Sequence, residues 1–378
     1  MTALSQPMSV PLRTRSPRSA WRTASPFLLP YLIPVFTFLG LALGGWWNFL
    51  TPVLVFGLVP ALDLVVGEDP HNPRAERLKE LGEIRVFRWI TWAYVPIHLF
   101  VVFFGAWAAS HLGLSVAEWI GFTLSAGIVT GGVGINFAHE LGHKTTRLEQ
   151  TLSQIILVTV SYGHFFIEHN LGHHARVATR FDPATSRLGE TVFSFYPRTV
   201  VGSYFSAWEL ENKRLERKGV SAFTWRNRMV GYTLLPVLIT VLLGLGWGAS
   251  AAAFFVVQSV VAFTLLEVIN YIEHYGLERR EAASGQYERV SPLHSWNSNH
   301  LVTNGFLLML QRHSDHHANP QRRYQTLRHF DESPQLPTGY AGMIVLAMFP
   351  PIWRRVMDQR VADFRARLAN TVEVEAAK

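Results

Sequence analysis

Six apolar runs constrain this chain before any other feature does. They cover roughly residues 27–47, 48–66, 87–110, 115–137, 230–248 and 250–270. Each approaches the ~20 residues that an α-helix needs to cross a bilayer. In lipid a backbone must satisfy its own hydrogen bonds, so such runs span as helices. Short glycine-containing junctions, Gly44-Gly45-Trp46-Trp47-Asn48 and Gly246-Trp247-Gly248-Ala249-Ser250, make hairpins of the first two and last two runs. Two shorter apolar stretches, Thr151 to Ile167 and Ala341 to Phe349, are expected to lie re-entrant or at the interface. The expected fold class is an all-α membrane protein with six transmembrane helices and a His-rich cap. Residues 1–26 read as a disordered basic tail and 27–352 as the transmembrane domain, with its His-box regions at 138–229 and 271–352. Residues 353–378 read as an exposed C-terminal tail.

Charge gives the orientation. Of 34 Lys and Arg, 4 lie in the tail, 5 in 67–90, 12 in 138–229 and 13 after residue 270. The three short connections on the opposite side carry none. By the positive-inside bias, both termini and the large loops belong on the cytoplasmic side of the inner membrane.

The chain contains no Cys, which excludes thiolate zinc sites, iron–sulfur centres and thiolate-ligated haem. Any electrons for redox chemistry must come from another protein. Imidazole is the remaining soft ligand, and it suits iron, zinc or copper. Nine of the 16 His fall into four groups at the expected cytoplasmic face. They are His139 and His143 in HELGHK; His169, His173 and His174 in EHNLGHH; His274 in NYIEHYG; and His313, His316 and His317 in LQRHSDHHA. Positions i and i+4 share a helix face, so His139 and His143 can meet one metal. In the doublets His173-His174 and His316-His317 the rings diverge by about 100° on a helix, so each doublet can serve two metals. Nine imidazoles exceed the about four to six positions of one ion.

Other readings compete. HELGH alone fits a zinc-peptidase helix with Glu140 as general base, but leaves most of the clustered histidines unexplained. A metal transporter would place its ligands nearer the bilayer midplane. His71, His111 and His329 read as surface residues, His98 as a hydrogen-bonded residue between helices, and His164, His294 and His300 as structural or supporting. Glu140, Glu168, Glu273 and Asp315 stand beside the clusters and are candidates to orient ligands. Asp63 and Glu267, inside spans, face the site or bond neighbouring helices. Val55, Phe56, Gly131 and Val133 are candidate lining for an apolar channel above the clusters. Gly131, Gly132 and Gly134 leave room for a substrate chain or for close helix packing.

HELGHK, FFIEHNLGHHARVATRFDPATSR, NYIEHYG, HSWNSNH and LQRHSDHHA together resemble the integral-membrane alkane monooxygenases of the AlkB type, over about Pro26 to Met357. Xylene monooxygenases, fatty-acid hydroxylases and desaturases carry similar His boxes more distantly. The resemblance implies a non-haem di-iron centre of two Fe ions, with O2 as co-substrate and electrons passing from NADH through a flavin reductase and rubredoxin. It carries the metal ligands onto the nine clustered histidines, none of which is substituted. The implied reaction is terminal hydroxylation of medium-chain n-alkanes to 1-alkanols, with fatty acyl or alkylbenzene substrates as the alternative. The implied partners are rubredoxin, the lipid membrane and the alkane, with no nucleic acid. Arg322, Arg323 and Arg328 are candidates to dock an acidic rubredoxin.

Overall fold

The computed structural model describes residues 17–376, with side chains for 18–370. Among these residues there is no β-strand, only three isolated bridges. Six helices are long and apolar enough to cross a membrane: α1 Arg18–Leu43, α2 Gly45–Val66, α3 Val86–His111, α4 Val116–Gly142, α7 Arg228–Trp247 and α8 Ala249–His274. Between α4 and α7 lie α5 Arg147–Thr159 and α6 Val192–Glu216. After α8 come α9 His313–Ala318, α10 Tyr340–Ala347 and α11 Pro350–Ala376. The chain is a multi-pass membrane protein. Leu64, Val65, Val237 and Leu245 point outward from the spans, as lipid-facing residues do.

The bundle is wrapped around α4, whose most apolar window is 83% buried against 17–50% for the other spans. Small residues make this possible. A Cβ on Gly127 would lie 2.5 Å from Val261, and one on Gly131 only 2.6 Å from the Ala262 backbone, so α4 and α8 touch almost backbone to backbone. A Cβ on Gly134 would strike the His98 ring at 2.5 Å. His98 itself is buried and sits 3.0 Å from the Thr159 hydroxyl, joining α3 to α5. At the far end Ser115 and Glu118 form a capping box for α4, and Glu118 also accepts the Gly45 N–H at 2.7 Å, pinning the first hairpin.

Three helical stretches widen to i→i+5 pairing: Leu54–Leu58, Val129–Ile135 and Glu168–His173. Such π-turns recur at functional sites, and all three border the site described below.

Two expectations about the termini change. Residues 1–16 lie outside the described residues, but Pro17–Ala24 is helical and runs into the first span, with Ala24 buried. The C-terminal segment is not an exposed tail. Trp353, Met357, Val361 and Phe364 recur at helical spacing on α11 and are buried against Tyr271, Tyr275 and Trp296. The Trp353 ring lies 4.9 Å from Tyr271 and 5.2 Å from Tyr275, and Tyr275 donates to Asp358 at 2.6 Å. The apolar stripe is interleaved with arginines, which masks its helical period in the sequence. Trp353→Ala is expected to destabilise the cap by roughly 3–5 kcal/mol. The measurement is a lowered thermal midpoint, with α11 becoming the first segment cut in limited proteolysis.

The stretch from Thr151 to Ile167 does not make a seventh span. It breaks at a turn where Ser161 takes φ +57°, and α5 packs on α4 through the Ser153 hydroxyl, which donates to the Ala138 carbonyl at 2.6 Å.

Candidate metal centre

Four chain segments bring nine imidazoles together. The end of α4 supplies His139 and, one residue past it, His143. Residues 165–176 supply His169, His173 and His174; His274 is the last residue of α8; and α9 supplies His313, His316 and His317. Their ligand atoms form two groups, each within 4.8 Å: His139, His143, His169, His174 and His316, and His173, His274, His313 and His317. Both doublets are divided between the groups, as diverging neighbours on a helix must be. The pair His169 and His173 is divided too. These rings stack at 5.2 Å, but they rise from a π-turn and serve different groups.

The side chains converge through Nε2. His143 and His169 approach at 3.0 Å, His169 and His174 at 3.1 Å, His174 and His316 at 3.2 Å, and His313 and His317 at 2.9 Å. Burial holds the pKa of His143, His169, His174, His313, His316 and His317 well below the usual imidazole value, so these rings are neutral and carry a free lone pair. The buried Nε2 atoms of His139, His173 and His274 have no protein partner. Buried polar atoms are normally paired. Orphaned nitrogens inside converging sets of neutral imidazoles fit a cation in each group.

Partners on the far nitrogen fix two of the rings. His173 donates from Nδ1 to Asp182 at 2.8 Å, and His274 donates from Nδ1 to the His294 carbonyl at 3.2 Å. This leaves each Nε2 free to ligate. Asp182 is buried and also accepts from the Thr185 hydroxyl at 2.6 Å and the Ala184 N–H at 3.1 Å. Burial pushes its pKa up, but His173 and Thr185 outweigh that and hold it below the usual value. Sequence reasoning missed Asp182. It lies nine residues beyond His173 across an irregular turn, where no helical spacing connects them.

The carboxylates chosen from the sequence do other things. Glu140 pairs with Lys144 at 3.0 Å and accepts the Tyr324 N–H, so it is not poised as a peptidase base. Glu168 pairs with Arg176 at 2.6 Å, and burial still pushes its pKa up to about 7. Asp315 holds Arg322 and Arg328, each at 3.2 Å. Asp63 accepts the Thr303 N–H at 3.0 Å, and Glu267 accepts from Tyr162 at 2.6 Å and Thr199 at 2.7 Å. Of these sequence candidates, Glu273 alone touches a clustered imidazole, 3.1 Å from His313 Nε2. Arg323 is tied to buried Glu149 at 3.0 Å, so all three arginines considered for docking are committed to buried acids. His71, His111, His164, His300 and His329 are absent from both groups.

An apolar cavity opens onto the cluster. It runs between α2, α4, α8 and α10 and reaches His139, His169 and His313, with Glu273 beside them. Val55, Phe56, Gly131 and Val133 all line it. So does Gly132, where an added Cβ would meet nothing within 4 Å.

This arrangement of spans and histidines defines a membrane-bound His-box protein, and residues 114–347, which include all nine imidazoles, match the fatty acid desaturase family. More specific relatives divide that class. Alkane 1-monooxygenase 2 of Pseudomonas aeruginosa is 45% identical over 350 residues, 89% of this chain and 92% of the relative. Alkane 1-monooxygenase of Acinetobacter baylyi is 42% identical over 85% of this chain and 77% of the relative. The xylene/toluene monooxygenase hydroxylase component of Pseudomonas putida is 26% identical over 92% of each. The chain belongs to the alkane 1-monooxygenase family.

Proposed function

We propose that the chain hydroxylates the terminal carbon of medium-chain n-alkanes, R–CH3 + O2 + 2 e− + 2 H+ → R–CH2OH + H2O, at two irons held by the five-His and four-His groups. The observation that carries this reading is the apolar cavity ending on His139, His169 and His313. Support comes also from the names of the relatives. The excess of Lys and Arg on one set of loops supports a cytoplasmic metal site in the inner membrane. Bound iron would supply the O2 chemistry that an unactivated C–H bond requires, and imidazole is a suitable ligand for it.

The residues of this chain supply position. An alkane offers no hydrogen bond or charge to grip, so only shape can present its end. It partitions into lipid and can enter between spans without crossing water. The cavity walls, Val55, Phe56 and Val133 among them, align the chain along α4 with a terminal carbon toward the imidazoles. The absence of Cys supports electrons arriving from outside, and rubredoxin is the proposed donor.

The test is product analysis with n-alkanes from hexane to hexadecane, NADH, reductase and rubredoxin. Formation of 1-alkanol, and its loss in His139→Ala, is the expected result. Products oxidised only at internal carbons, or none at all, would refute terminal hydroxylation. Val55→Trp is expected to lower the longest alkane accepted while leaving the shortest unaffected, read from the same product panel.

A further inference from the structure

Substrate and electrons have to reach the same nine imidazoles, and the cavity accounts for one approach only. The cavity touches His139, His169 and His313 but not His174. His174 is the one residue of the nine that is not fully buried, although its Nδ1 is. Leu171, three residues before it, is 51% exposed, and the adjacent Ala175 is exposed. Phe181 is 58% exposed, with the Arg180 guanidinium 4.9 Å above its ring. Arg279 reaches over from the segment after α8 and donates to the Ala175 carbonyl at 2.9 Å. His174 also connects the two groups. Its Nε2 approaches His169 and His316 of its own group, and its ring stacks on His317 of the other at 4.4 Å and 28°.

We infer that Leu171, Ala175 and Phe181, rimmed by Arg180 and Arg279, form the docking surface for the electron donor, with His174 as the imidazole through which electrons enter. This rests on the oxygenase reading above. The fitting partner is a small electron-transfer protein with an apolar surface over its redox centre and carboxylates around it. An apolar contact with a charged rim gives the brief, steered encounter that repeated electron delivery needs. Two acids temper the rim without closing it. Glu281 lies 3.8 Å from Arg180, an exposed pair of little strength, and Glu288 meets Arg279 through its backbone carbonyl and the attraction of its carboxylate. Arg322, Arg323 and Arg328 are poor alternatives because buried Asp315 and Glu149 hold them.

The experiment uses the iron-loaded protein in lipid nanodiscs with a bacterial rubredoxin as probe. Leu171→Asp and Phe181→Asp are each expected to raise the Kd and KM for rubredoxin about tenfold or more. Reduction by dithionite and the thermal midpoint should match wild type. Arg180→Glu should raise the Kd at low salt and lose that effect at high salt. Unchanged rubredoxin Kd and KM in both aspartate variants would overturn the proposal. Binding is read separately from turnover. A wild-type protein that bound rubredoxin through this patch yet made no alkanol would sink the oxygenase reading and spare this one.

Discussion

Asp182→Asn is expected to cost the chain one of the two metal ions proposed for the His groups. The carboxylate takes the His173 Nδ1–H at 2.8 Å and the Thr185 hydroxyl at 2.6 Å while the Ala184 N–H holds its other oxygen. An amide cannot reproduce this. If its oxygen faces His173, its NH2 replaces an acceptor opposite the Ala184 N–H. If its NH2 faces His173, two donors oppose each other, and the ring turns or changes tautomer. Losing such a partner typically costs ten- to a hundredfold in metal affinity. The effect should fall on the four-His group, which contains His173 and has fewer ligands to compensate. After a chelator challenge, elemental analysis should find about one ion per chain where wild type keeps two, with hydroxylation reduced at least about tenfold. Wild-type retention in the variant would mean that Asp182 does not orient His173.

Gly132→Phe should change which alkanes are accepted without dismantling the bundle. The neighbouring glycines do different jobs despite forming one run. Gly131 is pressed against Ala262 and Gly134 against His98, whereas space beyond Gly132 is open and belongs to the cavity. A benzyl group there projects into the volume assigned to the substrate. Turnover of hexadecane should fall by about a hundredfold or more while hexane is still converted, since a pocket discriminates steeply against chains that must overlap a wall. Gly131→Ala is the contrasting variant. Its methyl would meet backbone at 2.6 Å, so it should lower the thermal midpoint. Product distributions from a mixed alkane pool read the first effect directly. An unchanged distribution in Gly132→Phe would remove this cavity from the substrate path.

Much of this architecture is legible because lipid leaves a spanning chain few options. The six runs announce themselves by length, and the turns Gly44-Gly45 and Gly248 by residue type. The nine histidines stand out because helical spacing is local information. What the sequence hides is non-local. His169 and His173 stand at i,i+4 spacing, which shares one face on a regular helix, and only the π-turn and the packing of four segments assign them to two groups. Glu140, Glu168 and Asp315 are adjacent to ligands in sequence, yet adjacent residues leave a helix in different directions. Each therefore meets a cation, while the acid that holds the far nitrogen of a clustered imidazole, Asp182, comes from a loop. Asp63 and Glu267 are polar groups inside the bundle, and they satisfy neighbouring helices and not the cluster. The three glycines read alike as letters, and only the opposing surface distinguishes a seam from a wall.

Metal analysis of the purified protein, coupled to Mössbauer spectroscopy, tests the central claim most directly. Two irons per chain are predicted, in two imidazole-rich environments, with His274→Ala depleting the four-His environment and His143→Ala the five-His one. One metal per chain, or zinc in place of iron, would contradict it.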